Sequence, residues 1–211
     1  MKKIVLMLFL CGIVGTTLAQ EETSNNSFLM FLHGGYGFLP NKTSGLTSYS
    51  TSYIDELSSG VIWNAQAYYR KNLFITGLLY SGYTANGSLK NSSDKILTTY
   101  VAPQAGMCIP VAGGKFNIAF NGGIGGMWYR NNSVVFQKDR KVTGKNIGVN
   151  LGLKGVYNFA QHFGVSLEMS IIEASLSKTN VNYHDKIIKV RYADALHLNQ
   201  FSLSIGLKYS L

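Results

Sequence analysis

Hydrophobic and polar residues alternate along much of this chain. Between positions 201 and 211, Phe201, Leu203, Ile205, Leu207, Tyr209 and Leu211 take one side, and Ser202, Ser204, Gly206, Lys208 and Ser210 the other. A strand points successive side chains to opposite faces, so this segment has one wholly apolar face and one small, polar or charged face. The same period of two sets Phe116, Ile118, Phe120, Ile124 and Trp128 against Asn117, Ala119, Asn121, Gly123 and Gly125. It also runs through 146–157, with Asn150 and Leu151 on opposite faces, and through 163–171. The pattern predicts eight strands, near 28–39, 60–69, 73–81, 97–109, 116–129, 146–157, 163–174 and 197–211. The third is apolar on both faces, so the pattern does not tell which side turns inward. Strands of soluble proteins average about five or six residues. Most of these are longer, and a bilayer requires tilted strands of about 9 to 11.

The connections alternate as well. Those at 70–72, 110–115 and 158–162 are short, whereas 40–59, 82–96, 130–145 and 175–196 are long and polar. Short turns at one end and long loops at the other are the signature of an up-and-down membrane barrel, and a soluble sandwich has no reason to sort its loops this way. The expectation is therefore an all-β fold: an eight-stranded antiparallel up-and-down transmembrane β-barrel, with loops extracellular and termini periplasmic in the outer membrane. Composition agrees. The chain is 46% hydrophobic and only 14% charged, with 23 glycines and 13 tyrosines, yet it has no apolar run long enough for a membrane helix after its first residues.

Those first residues have another role. Lys2 and Lys3 precede the apolar run 4–14, and Thr17-Leu18-Ala19 follows with small residues at the first and third places. This reads as a signal peptide, 1–19, cut after Ala19, leaving 20–211 as one barrel domain. A lipoprotein anchor at Cys11 needs a small residue before the cysteine, and Leu10 stands there. Only Cys108 would remain, so a disulfide framework is excluded.

The last strand carries Ser204-x-Gly206-x-x-Tyr209-x-Leu211, which resembles the C-terminal signal read by the barrel assembly machinery of bacterial outer membranes; the departure is Leu211, where phenylalanine is usual. Tyr100-Val101-Ala102-Pro103, then Phe116 and Gly122-Gly123-x-Gly125-Gly126, resemble the small outer-membrane protein β-barrel domain family, akin in architecture to the OmpA transmembrane domain and to OmpX-like proteins. That resemblance implies fold and location rather than an activity.

Eight strands leave an interior that side chains just fill, so a solute channel is not expected. Lys154 and Glu168 have lumen parity on neighbouring strands, and a register setting Asn158 against Gly164 places them directly opposite each other. Lys208 is expected to join them on closure. A structural ion pair is preferred to a proton relay, because isolated charges are costly to bury. The four histidines lack metal-ligand spacing. His197-Leu198-Asn199 resembles the His-x-Ser of lipid A deacylases, but with asparagine at the serine position, and the glycines at 122–126 have no following helix or lysine motif of a phosphate loop. No catalytic, cofactor or metal residue is expected.

Charge adds one more expectation. The chain's formal net charge is +9. Most of the excess lies in the long connections, above all at Arg130, Lys138, Arg140, Lys141, Lys186, Lys189 and Arg191, with Lys42, Lys90, Lys95, Lys145 and Lys178, against Asp55, Glu56, Asp94, Asp139, Asp185 and Asp194. Basic loops at an outer leaflet suit glycolipid phosphates or an extracellular ligand, while no motif points to nucleic acid. The expected function is a non-enzymatic outer-membrane protein of surface interaction, adhesion or envelope integrity. The alternatives are a component of a transfer or secretion apparatus and a lipid A-modifying enzyme.

Overall fold

The structure, a computed structural model, describes residues 26–39, 56–89, 92–135, 138–183 and 186–211. The expected signal peptide, Lys42, Asp55, Lys90 and Asp185 lie outside the described residues, as does the side chain of Asp194. Among the described residues, nine strands follow in chain order: β1 (Ser27–Phe38), β2 (Ser59–Lys71), β3 (Phe74–Leu89), β4 (Ser92–Val111), β5 (Phe116–Val135), β6 (Lys138–Asn158), β7 (Phe163–Tyr183), β8 (Lys186–His197) and β9 (Gln200–Ser210). All pairings are antiparallel, each strand from β1 to β7 pairs with the next, and β9 pairs with β7 on one side and β1 on the other. The sheet therefore closes into a barrel.

The ring has eight staves, because β8 and β9 share one. β9 lies along the lower part of β7, Phe163–Ile172, and β8 along its upper part, Ser175–Tyr183. The break falls at Leu198 and Asn199, where the Leu198 N–H donates to the Ala174 carbonyl at 2.7 Å. This bend divides what the alternation predicts as a single strand beginning at 197.

Alternation decides which face is which. On β9 the polar Gln200, Ser202, Ser204, Lys208 and Ser210 are buried inside, and Phe201, Leu203, Ile205, Leu207 and Tyr209 are exposed outside. The third predicted strand is resolved the same way: Ile75, Leu79 and Tyr83 turn inward, and Phe74, Leu78 and Tyr80 outward. An outer surface of this kind is stable only against lipid. Aromatic residues border the belt. At the short-turn end Phe28 faces Tyr69, Phe116 packs on Tyr157 at 5.3 Å, and Phe163 packs on Tyr209 at 5.2 Å. At the other end stand Tyr36, Phe38, Trp63, Tyr80, Trp128 and Phe201. Phe28 and Phe38 are ten residues apart, which at about 3.3 Å per residue and a tilt near 40° gives a belt of roughly 25 Å, the thickness membrane barrels present to lipid.

The long connections correct the expectation of loops. Most of 82–96, 130–145 and 175–196 continues as paired strand, so the basic residues from Arg130 to Arg191 sit on β-hairpins rather than in irregular loops. Pairing continues because inward positions above the belt still find packing partners: Asn131 and Ser133 are buried on β5, Thr179 on β7, and Tyr129, Leu176 and Leu198 join one apolar cluster. The barrel wall is consequently uneven. β4 to β7 run 20 or 21 residues, whereas β1 and β2 run 12 and 13. At the short-turn end the connections are tight, and Asn72, with φ at 56°, takes the left-handed conformation that asparagine tolerates.

Leu151 is 70% exposed, midway on β6 between Tyr157 and Lys145, the partner of Trp128. Leu151→Arg is expected to cost about 2–4 kcal/mol, and Val134→Arg, outward but above the belt, about 1 kcal/mol or less. Urea unfolding from lipid vesicles measures both, and equal costs would mean that the belt is misplaced.

Candidate functional site

Two groups of side chains stand apart from plain barrel construction: a charged cluster inside and a set of cations outside. The inner cluster centres on Glu168 of β7, which is 1% exposed. β6 and β7 pair with Lys154 directly opposite Glu168 and Asn158 opposite Gly164. The Lys154 Nζ lies 3.6 Å from Glu168 Oε1. From β2, Gln66 Nε2 donates to both carboxylate oxygens at 2.8 and 3.0 Å, and Asn64 Nδ2 donates at 3.4 Å. From β1, His33 Nδ1 lies 3.4 Å from Glu168 Oε2, out of line for a hydrogen bond, while its Nε2 and the Ser166 hydroxyl are 2.7 Å apart. Lys154 also donates to Gln66 Oε1 and sits 4.1 Å above the Phe31 ring. Every charge here has several polar partners, as burial demands.

Lys208 does not join them. The β7–β9 register sets Glu168 opposite Ser204, four residues from Lys208, roughly 13 Å along the strand. Lys208 donates instead to Asn158 Oδ1 and Ser210 Oγ, both at 3.0 Å, near the short-turn end. His33, Asn64 and Gln66 are the residues that sequence reasoning missed. All three are polar residues at lumen parity on predicted strands, and that parity was the available signal.

A second polar layer lies beside the first. Gln104, Asn121 and Asn150 interlock through their amides at 2.8 to 3.1 Å, and the Tyr100 hydroxyl donates to Asn150 Oδ1 at 3.2 Å. Gly123 makes this possible, since a Cβ there would stand 2.4 Å from Gln104 Nε2. The glycine run at 122–126 thus serves packing. Apolar clusters close both ends: Leu29, Phe31, Tyr68, Ile75, Cys108, Ala119 and Val156 below, and a larger group around Tyr83, Ile96, Met127 and Ile172 above. Apolar clusters thus share the interior with polar groups at several heights, and Cys108 is a buried member of the lower cluster.

The residues of the expected assembly signal fall on both faces of β9. Ser204 is buried, Tyr209 packs outside on Phe163, and Leu211 exchanges backbone hydrogen bonds with Phe28 at 2.9 and 3.0 Å. Gly206 gives room to the His33 ring, whose Cδ2 would lie 2.5 Å from a Cβ there.

Among the basic residues, Arg130, Lys138, Lys141, Lys186, Lys189 and Arg191 are exposed. Arg140 is the exception. It is half-buried, its Nε donates to Ser133 Oγ at 2.9 Å, and its Nη2 lies 3.9 Å from Asp94 Oδ1. Arg140 therefore braces the hairpins and is withdrawn from the exposed set.

No family model matches the chain, and no curated relative does. Solved structures do. Neisserial surface protein A matches with a TM-score of 0.52 at 12% identity, covering 89% of this chain and 99% of that one. A major outer membrane protein from Thermus thermophilus matches with a TM-score of 0.61 at 10% identity, covering 89% and 100%. Ail, the attachment invasion locus protein of Yersinia pestis, solved with the heparin analogue sucrose octasulfate, matches with a TM-score of 0.51 at 10% identity, again covering 89% and 100%. This chain has the fold of a small outer-membrane β-barrel. Among the described residues no cluster of three His, Cys, Asp or Glu side chains is arranged to hold a metal. His197 faces Ser175 across β7 and β8, but no hydrogen bond links it to a serine hydroxyl among the described residues.

Truncating Glu168 alone leaves the Lys154 ammonium buried without its counter-charge. Glu168→Leu is expected to destabilise by about 3–5 kcal/mol. The double variant with Lys154→Met should lose less than either single change. Unfolding midpoints of the four proteins form the cycle, and strictly additive losses would show that the pair is uncoupled. In planar bilayers the wild type should give no steady ohmic steps, because Tyr68, Gln104, Asn121, Asn150, Lys154, Glu168 and Lys208 are all buried in the bore. Reproducible steps would show an open path.

Proposed function

We propose that this protein is a non-enzymatic component of the outer membrane that works through its outside: a sealed barrel, released from a signal peptide at 1–19, whose tall β-hairpins present positive charge beyond the membrane to an anionic partner. In this reading the hairpins are extracellular, the short turns and both termini periplasmic, and surface interaction, adhesion or envelope integrity is the class of role. The observation that carries it is the division of labour between the two sides of the wall. Most polar groups at mid-height inside bond to one another, whereas Arg130, Lys138, Lys141, Lys186, Lys189 and Arg191 stand exposed on paired strands. A rigid presentation of cations favours extended anions, since little side-chain and backbone freedom remains to be lost on binding. The heparin analogue solved with Ail, a protein of the same fold, is a ligand of that chemistry.

Fractionation and binding together test this. The protein should sediment with outer membranes and migrate on gels with the shift on heating typical of folded barrels. Refolded in detergent, it should be retained on immobilised heparin and released by salt, because such contacts weaken as charges are screened. The triple variant Lys186→Gln, Lys189→Gln, Arg191→Gln should elute at distinctly lower salt. Recovery as a soluble periplasmic protein, or unchanged elution of the triple variant, would count against the proposal.

A further inference from the structure

The exposed cations are not spread evenly around the barrel. Four of them form a patch on one flank, at the rim of the lipid belt. The registers fix their places. Across β4, β5 and β6, Thr99, Trp128 and Lys145 share one rung; Leu97, Arg130 and Thr143 the next outward-facing one; and Lys95, Asn132 and Lys141 the next. Lys95, Arg130, Lys141 and Lys145 are all exposed, while the intervening Asp94, Ile96, Tyr129 and Asn131 are buried inside. Same-face neighbours lie about 7 Å apart along a strand and about 4.8 Å apart across strands, so all four cations fall within roughly 16 Å. The lowest, Lys145, stands level with Trp128, an aromatic at the belt's edge, and the others rise from there.

No acidic residue lies on the outer face of these three rungs across β4, β5 and β6. Asp94 turns inward, where it accepts a hydrogen bond from Asn131 Nδ2 at 2.9 Å and pairs with Arg140. Asp139 lies one rung beyond Lys141, and Glu173 lies on β7 opposite Val149, below Lys145. Among the described residues, β1, β2 and β3 carry no lysine or arginine near the upper aromatics.

We propose that Lys95, Arg130, Lys141 and Lys145 form a docking site for the phosphates of an outer-leaflet glycolipid, whose acyl chains lie along the apolar face below Trp128. This rests on the reading of the hairpins as extracellular, and goes beyond it by naming a resident lipid as the partner of this flank. Height selects that occupant. A soluble polyanion meets cations anywhere on the hairpins, but only a lipid is held with its phosphates at this level and its chains against Ile124, Ile147, Val149 and Leu151. Coulomb attraction of exposed cations for phosphate is modest singly and accumulates over a patch.

The full chain in detergent micelles is titrated with lipid A bearing two phosphates, with the same lipid dephosphorylated, and with inorganic phosphate, and followed by native mass spectrometry. Wild type is expected to retain the phosphorylated lipid about tenfold more strongly than the dephosphorylated one. Tenfold excess inorganic phosphate should not displace it. The pair Arg130→Gln, Lys145→Gln should lose that preference, and Lys186→Gln, Lys189→Gln, on β8 outside the patch, should keep it. Should the first pair fail to show the folded gel mobility, Lys141→Gln takes its place with a smaller loss expected. Equal binding of the two lipids, displacement by inorganic phosphate, or equal losses in both pairs would overturn the site. Heparin retention, measured in parallel, separates the two readings: if it survives while lipid docking fails, the extracellular reading stands without this one.

Discussion

In lipid, a backbone N–H or C=O without a partner costs several kcal/mol, and the whole structure follows from avoiding that cost. A sheet satisfies every strand but the outermost two, so it must close. Here closure is the pairing of β1 with β9, Leu29–Phe38 against Phe201–Ser210, completed by the reciprocal bonds between Phe28 and Leu211. Once the ring is shut, each strand has one face toward lipid and one toward a narrow interior, and a period of two is imposed on every stave. Slipping any strand by one residue would carry its inner set into the bilayer.

A ring of eight leaves no room for slack inside, and the filling is layered. Apolar clusters lie near both ends, and the side chains of the polar layers between them bond chiefly to one another. The Glu168 cluster draws on β1, β2, β6 and β7, half of the staves. A buried ion pair adds little net stability over apolar packing, but it penalises misalignment heavily, because any wrong register strands a charge. Its contribution is best understood as specifying register on either side of the closure seam.

How much of this was written in the sequence depends on what lay on the outer face. Within the belt, lipid demands apolar residues outside, so alternation was plain and the strands were legible from Phe116 to Trp128 and from Phe201 onward. Above the belt both faces tolerate polar groups. Asn131 and Ser133 inside then look no different from Arg130 and Asn132 outside, and paired strand reads as loop. The Lys154–Glu168 pair was legible because a short turn joins their strands and leaves few registers. Lys208 was misplaced and Gln66 missed for the opposite reason: which rungs meet across the seam is set by the stagger of the whole barrel, which no local segment encodes.

The uneven wall ties these threads together. β4 to β7 rise past the membrane because their inner faces carry the packing upward, through Tyr129, Leu176 and Leu198, with Val142 and Leu196 against them. That upper core turns what would otherwise be flexible connections into pleated sheet. Arg140 and Asp94 add a brace on the inner side, and in doing so remove an anion from the outer one. The exposed cations are therefore set at fixed heights and spacings by the same pairing that holds the barrel shut. A charge on a mobile loop would meet any anion equally well; a charge fixed one rung above a tryptophan meets what the membrane holds at that level.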